Sequence, residues 1–499
     1  MRRQIRLLTL FISGALHAAV TLPALISDHM VLQQGAPIRI WGWAEGGERV
    51  KVTFLGQTEQ ASASAEGAWE VWLSPVRAGG PYELTISASN TITVRNVLVG
   101  EVWVASGQSN MAWALRASQN APQEIAQANH PAIRFFQVKT KVADAPQQDV
   151  EGSWKICTPE NAPAFSAVAY FFARELHQTR GVGLGVIQAT VGGTPAQAWT
   201  ARTALEANPL LKYYLDRWES VVAQYPQARE RFEKQQAEFQ QRAAEAKAQG
   251  KPVPPAPRPP RGAPGDTHTP SGLFNGMIAP LTPYAIRGVI WYQGEANAGP
   301  VDNELYRYLF GDMILDWRRA WGIGPFPFLW VQLAAFQNPN SWALLRDSQT
   351  RTLELANTGQ ALAIDVGESH DIHPKDKLTV GRRLALTARA IAYGEKIVYS
   401  GPLFRQLTKS PGALRVWFDH VGSGLTTRGG GPLLGFRIAG EDGVFYKAEA
   451  HIEGDTVVVS SPLVADPVAV QYAWENDPVA TLTNREGLPA TPFRTSLCK

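Results

Sequence analysis

The stretch Val97-Leu98-Val99-Gly100-Glu101-Val102-Trp103-Val104-Ala105-Ser106-Gly107-Gln108-Ser109-Asn110-Met111 decides the fold class. Two short apolar runs, parted only by Gly100 and Glu101, lead into a polar turn that contains Gly107. An apolar run without polar alternation is the mark of a strand covered on both faces, as in a parallel sheet between helices. Runs of the same kind follow at Leu184-Gly185-Val186-Ile187, Gly288-Val289-Ile290-Trp291-Tyr292 and Phe328-Leu329-Trp330-Val331-Gln332-Leu333. Helix-forming sequence such as Ala167 to Gln178 lies among them. Buried strands alternating with helices predict an α/β domain over residues 97–395.

On both sides of this domain the pattern changes to short alternating strands between Gly, Pro and Asn clusters. Residues 20–96 include Trp69-Glu70-Val71-Trp72-Leu73 and Tyr82-Glu83-Leu84-Thr85-Ile86, and read as an antiparallel β sandwich. Residues 396–499 include Leu414-Arg415-Val416-Trp417-Phe418 and read as a C-terminal β domain. The α/β part is interrupted over 202–268. Helix formers fill 202–250, and Pro holds seven of fourteen positions from Lys251 to Pro264. This predicts a helical hairpin with an extended Pro-rich linker, inserted on the surface.

The 499 residues suit several domains, and 45% hydrophobic with 18% charged residues excludes whole-chain disorder. The formal charge of +3 comes from Arg2, Arg3 and Arg6, which precede a short apolar stretch and then Ala18 and Ala19. That order predicts a signal peptide over 1–19 and an exported protein, in a bacterial periplasm or secreted. The remainder is near neutral, with no basic block for nucleic acid and no expected membrane partner once the signal is gone. Cys157 and Cys498 cannot form a disulfide scaffold or a Cys-based zinc site, although export permits their pairing.

Chemistry is expected at the carboxyl ends of the buried strands. Ser109 follows the first of them as a candidate nucleophile. A hydroxyl nucleophile needs a base. Two histidines cluster in Asp365-Val366-Gly367-Glu368-Ser369-His370-Asp371-Ile372-His373-Pro374, again after an apolar run. Asp371 could orient His373, and His373 could take the Ser109 proton. In a rival reading, His370, His373, Glu368 and Asp371 hold a metal, although their spacing is not the His-Glu-x-x-His helix pattern. Two further turns suit acyl transfer. Gly192 and Gly193 allow a backbone N–H to approach a ligand, Gln293 could donate its amide to an oxyanion, and Glu295 could anchor its loop on an Arg or Lys.

Gly107-Gln108-Ser109-Asn110-Met111, Gly192-Gly193-Thr194, Gly272-Leu273-Phe274-Asn275-Gly276-Met277-Ile278, Trp291-Tyr292-Gln293-Gly294-Glu295 and Asp371-Ile372-His373-Pro374 occur in this order. With these motifs, and with Ser27-Asp28-His29-Met30-Val31-Leu32-Gln33-Gln34 near the start, the chain resembles the sialate O-acetylesterase family of SGNH hydrolases. The resemblance covers nearly all of the chain after the signal. It implies a flavodoxin-like, three-layer hydrolase domain that removes O-acetyl groups from carbohydrates without metal or organic cofactor. It implies Ser109 as nucleophile and His373 as base. Ser109 N–H, an N–H of Gly192 or Gly193, and the Gln293 amide would form the oxyanion hole. Gln108, Asn110, Trp199, Asn275 and Glu295 fall in or beside the motifs, in substrate-binding or supporting positions.

The chain departs from the wider SGNH pattern at two places. Gln108 replaces the Asp of the usual Gly-Asp-Ser block. The Asp usually found three residues before the catalytic His is His370 here, which leaves either a triad through Asp371 or a Ser-His pair. Relatives of this kind act on sialic acids or on acetylated plant polysaccharides such as xyloglucan. Loss of the cationic signal leans toward a neutral glycan, for which Trp113 and Trp199 are stacking candidates if they are not core residues. A non-catalytic glycan-binding protein is the alternative of another class.

Overall fold

The computed structural model describes residues 19–495. Apart from Ala19, the signal read over 1–19 lies outside the described residues, as does Cys498. Cys157 is buried, with its thiol 3.5 Å from Ala128 O.

The central sheet holds β1 (Thr91–Gly107), β2 (His130–Gln137), β3 (Trp154–Cys157), β4 (Gly183–Thr190), β5 (Gly288–Tyr292), β6 (Phe328–Gln332) and β7 (Thr358–Leu362). Their order is β7-β6-β5-β1-β4-β2-β3. Every neighbouring pair is parallel except β2 with β3 at the edge. The main helices are α1 (Ala167–Arg180), α2 (Lys212–Ala248), α3 (Asp302–Trp321), α4 (Trp342–Arg351) and α5 (Lys377–Ile391).

Side-chain alternation locates the helices. Trp103 of β1 packs on Phe172 of α1, with ring centroids 5.1 Å apart. Trp291 of β5 packs on Phe310 and Trp317 of α3. Trp291 lies beside Ser106 in register, three residues on from Trp103, and therefore points to the opposite face. Helices thus cover both faces, which is why β5, β6 and β7 are buried at every position. The chain moves from β1 to one side, returns through β4, and crosses to β5 on the other side. The strand order therefore reverses at β1, and in open α/β sheets ligands bind outside the carboxyl ends of the strands at such a point.

β1 also corrects the reading of two separate runs at 97–99 and 102–104. They are one 17-residue strand that crosses residue 97 without a break. Its first half pairs antiparallel with Gly79–Ser87, which pairs with Arg49–Phe54 and through it with Gln57–Ser62. Its second half is the centre of the parallel sheet. A single hydrophobic core extends from Val20 to Ala392. The C-terminal strands have a second core, with Val416, Ile438, Val457 and Val470 inside two four-stranded antiparallel sheets.

The insertion is not a hairpin of two long helices. After the short helix Arg202–Ala207, α2 runs unbroken for 37 residues, through Pro226. No Gly or Asn falls within it to close a helix–helix turn. Exposed i,i+4 pairs such as Arg229–Glu233 and Lys234–Glu230 line it. The Pro-rich chain is the return limb, and it comes back beside α2 at Gly262, next to Val221 and Tyr225.

Candidate active site

β1 ends at Gly107, with φ +129°, where a Cβ would lie 2.2 Å from Tyr292 O. Glycine is therefore required for the strand to pass this close to β5 as it turns. The turn is fastened on both sides. Val191 N–H donates to Gly107 O at 3.1 Å, and Gln108 N–H donates to Tyr292 O at 3.0 Å. A single helical turn, Ser109–Ala112, follows. From Glu101 to Met111 only Ser109 is not buried. As the first residue of the turn, its N–H has no intrahelical acceptor.

His373 comes from the loop between β7 and α5. Its Nε2 is 2.8 Å from Ser109 Oγ. The ends of the loop are pinned. Asp365 forms a two-pronged pair with Arg383 of α5 at 2.6 and 2.8 Å, and Asp376 caps α5 through Thr379 N–H. The imidazole stacks on Trp113, with centroids 4.8 Å apart and planes 17° apart. Asp371 Oδ1 accepts the His373 backbone N–H at 2.9 Å. The same oxygen stands 3.7 Å from Nδ1, within reach of charge but beyond a hydrogen bond. His370 is exposed. Among the described residues no three His, Cys, Asp or Glu side chains gather to hold a metal ion.

Asn110, buried beside Ser109, links three segments. Its Nδ2 donates to Ile372 O at 3.0 Å and to Glu295 Oε1 at 2.6 Å. Its Oδ1 accepts from Lys377 Nζ at 2.5 Å. Glu295 was expected to pair directly with an Arg or Lys. Instead Asn110 stands between it and Lys377. Burial brings the Lys377 ammonium down to about 7 and raises the Glu295 carboxyl, so both move toward their neutral forms. Burial, and then the Lys377 charge, hold His373 below the usual histidine value, while Asp371 pulls it upward. Lys377 was not singled out from sequence. The only signal was its place four residues past His373, at the first position of a helix.

Gly192 and Gly193 are exposed. A Cβ on Gly192 would sit 3.6 Å from Ser109 Cβ, so this turn borders Ser109. Gln108 is buried, and its Oε1 accepts Ala296 N–H at 3.2 Å, tying the Ser109 turn to the loop after β5.

Three other candidates are turned inward. Gln293 is 0% exposed. Its Nε2 donates to Asn297 Oδ1 at 2.7 Å and to Thr194 O at 3.2 Å, and its Oε1 accepts from Tyr306 Oη at 2.9 Å. Both amide hydrogens are engaged, which corrects the expectation that Gln293 donates to an oxyanion. Trp199 is also 0% exposed, with its indole N–H bonded to Thr194 Oγ1. It is a core residue that braces the Gly192 turn and has no face for a sugar. Asn275 is buried and bonds Ala143 O at 3.1 Å, so it supports a loop. Of the two Trp candidates, Trp113 is the one at the site, and it packs on the histidine.

A serine hydroxyl at a strand end, a histidine in contact with it, and backbone N–H groups of the turns beside it suit acyl transfer. A family profile for carbohydrate esterases, described as sialic acid-specific acetylesterases, matches residues 99–231 and 271–389. The chain belongs to this family. The matched segments stop on either side of the second half of α2 and the Pro-rich return limb. Sialate O-acetylesterase of Rattus norvegicus is 33% identical over 427 residues, 77% of this chain and 75% of that protein. Sialate O-acetylesterase of Homo sapiens is 31% identical over 421 residues, 76% of this chain and 72% of that one. The crystal structure of a carbohydrate acetylesterase from Xanthomonas citri is 40% identical, covers 96% of this chain and 100% of its own, and superposes with a TM-score of 0.83. The protein is an enzyme, a carbohydrate O-acetylesterase of the carboxylic ester hydrolase class.

Proposed function

We propose that this esterase works through an acetyl-serine, with Ser109 as nucleophile and His373 as general base, in an SGNH-type hydrolase domain of flavodoxin-like design. The observation that carries this reading is the 2.8 Å contact between Ser109 Oγ and His373 Nε2 at the carboxyl end of β1. Ser109 Oγ attacks the acetyl carbonyl carbon and its proton passes to Nε2. The oxyanion is held by Ser109 N–H and Gly192 N–H. The imidazolium returns its proton to the departing sugar oxygen. Water, deprotonated by His373, then attacks the acetyl-enzyme, and acetate leaves with Ser109 restored. Trp113 holds the plane of the ring. Asp371 favours the imidazolium by its charge. This is a Ser-His pair assisted by a nearby carboxylate.

For the substrate we favour acetylated plant polysaccharide fragments of the xyloglucan type, met after export to the periplasm or the medium. The near-neutral charge that remains without Arg2, Arg3 and Arg6 supports a neutral glycan. Sialic acid is the second reading, favoured by the family description and the mammalian relatives. Acetate release should be measured across O-acetylated sialic acid and acetylated xylan, xyloglucan and pectin fragments. The highest kcat/KM is expected on xyloglucan fragments, and a clear preference for the sialic acid ester would reverse the choice. Near-normal acetate release by Ser109→Ala would remove the mechanism itself.

A further inference from the structure

The loop that carries His373 is held from outside by the C-terminal strands. Ala335, after β6, and Ile364, after β7, are buried in the C-terminal core. Asn476 lies between the C-terminal strands Ala469–Tyr472 and Leu482–Asn484. It meets the segment after β6 at several points. Its backbone O accepts Phe336 N–H at 3.1 Å. Its Oδ1 accepts Trp342 N–H at 2.9 Å, and its Nδ2 donates to Asn340 O at 2.7 Å and to Asn338 O. Arg346 of α4, 0% exposed, ties the same two segments. It donates to Leu333 O and Ala334 O on one side and to Glu475 O and Asn476 O on the other, at 2.6–2.9 Å.

The segment after β6 in turn grips the His373 loop. Gln337 N–H donates to Ser369 O at 3.0 Å. A Cβ on Gly367 would lie 2.3 Å from Ala335 O, so the two backbones touch. Ser369 sits in the turn Glu368–Asp371, closed by Asp371 N–H on Glu368 O at 3.2 Å. Asp371 then caps His373 N–H and stands 3.7 Å from the ring Nδ1. Contacts therefore run without a gap from Asn476 through Phe336, Gln337 and Ser369 to Asp371. Because the carboxylate makes no hydrogen bond to the ring, its effect on His373 depends on where the turn places it.

We propose that Asn476 is a positioning residue for the catalytic base: the C-terminal strands, through the segment after β6, set the turn that places Asp371 beside His373. The proposal rests on His373 being the base. Asn476→Ala, Asp371→Asn and the double variant should be compared with the wild type on p-nitrophenyl acetate, in kcat, KM and the acid limb of kcat/KM. The charged groups that face the ring are Asp371 and, from α5, Lys377. Asn476→Ala should lower kcat about three-fold with KM unchanged, by no more than Asp371→Asn does, and move the acid limb down as that variant does. In the Asp371→Asn background the same change should cost less than about 1.5-fold, because two residues on one path are coupled. An unchanged kcat in a folded Asn476→Ala, or a loss that multiplies in full with that of Asp371→Asn, overturns the proposal. If Asn476→Ala does not fold, Asn476→Asp, which keeps the acceptor for Trp342 N–H and gives up both donations, takes its place under the same criteria. Failure of the base reading is seen separately, as near-normal acetate release by His373→Ala.

Discussion

The turns after β1 and β5 look alike in sequence and behave differently in the structure. Gln108-Ser109-Asn110 and Gln293-Gly294-Glu295 both follow buried strands, and each offers amides and a small residue. After β1 the small residue is the one that reaches solvent, while Gln108 and Asn110 brace it from below. After β5 the Gln is sealed inside, bonded to Thr194, Asn297 and Tyr306. One turn presents chemistry and its neighbour holds it in place. A motif residue beside Ser109 is thus not by that fact a participant, and hydrogen-bond accounting distinguishes a brace from a donor that faces the substrate.

The contrast can be broken by experiment. The largest effect should come from Ser109→Ala, with kcat reduced roughly 10⁴- to 10⁶-fold and thermal unfolding unchanged. Retained folding with lost acetate release would separate the hydroxyl from its scaffold. Asn110→Ala should follow at about ten- to a hundred-fold in kcat, because His373 loses its tether through Ile372 O while Glu295 and Lys377 lose their bridge. Steady-state kinetics with a melting curve checks this. A smaller loss would mean that Trp113 stacking alone positions the ring.

Asp371→Asn sharpens the role of the acid. An ionised Asp371 raises the His373 pKa, so its removal lowers that pKa. The base must be neutral to act, so the acid limb of kcat/KM, already below about pH 6.5 in the wild type, should move further down. The loss of rate should be about ten-fold or less, because the carboxylate makes no hydrogen bond to the ring. A loss near 10⁴-fold would instead indicate a full triad. Lys377→Met should move the same limb upward, because a positive charge near His373 is gone. The smallest kinetic change is expected for Gln293→Ala. Thr194 O, Asn297 Oδ1 and Tyr306 Oη lose a partner, so stability should drop by about 1–3 kcal/mol with kcat nearly intact. An oxyanion donor would show the reverse, with kcat down about 10²- to 10³-fold and stability preserved. Denaturant unfolding alongside kinetics separates these outcomes.

Much of this was legible in the chain itself. Unbroken apolar runs at 102–104, 184–187, 288–292 and 328–333 marked strands covered on both faces, because only a parallel sheet between helices removes polar alternation. Ser109 and His373 could be named because a hydroxyl and an imidazole on turns after such strands converge on one sheet edge. The fusion of the N-terminal strands to the central sheet was not legible. Gly100 and Glu101 resemble a break, but Gly100 is needed where Gly183 O approaches to 2.1 Å of a Cβ position, and Glu101 is bonded by Gln33 and Gln34. The insertion misled for a local reason, since the Pro-rich return limb left no second helix for a hairpin.

The sequence by itself determined the α/β pattern, four of the central strands and the pair of groups that meet at their edge, because periodicity and strand-end position are local properties of the chain. Only the tertiary structure decided which polar side chains face the substrate and which face inward. That depends on donors and acceptors brought together from distant positions, as when Lys377, Asn110 and Glu295 share one buried network and Gln293 donates to Thr194 O from across the fold.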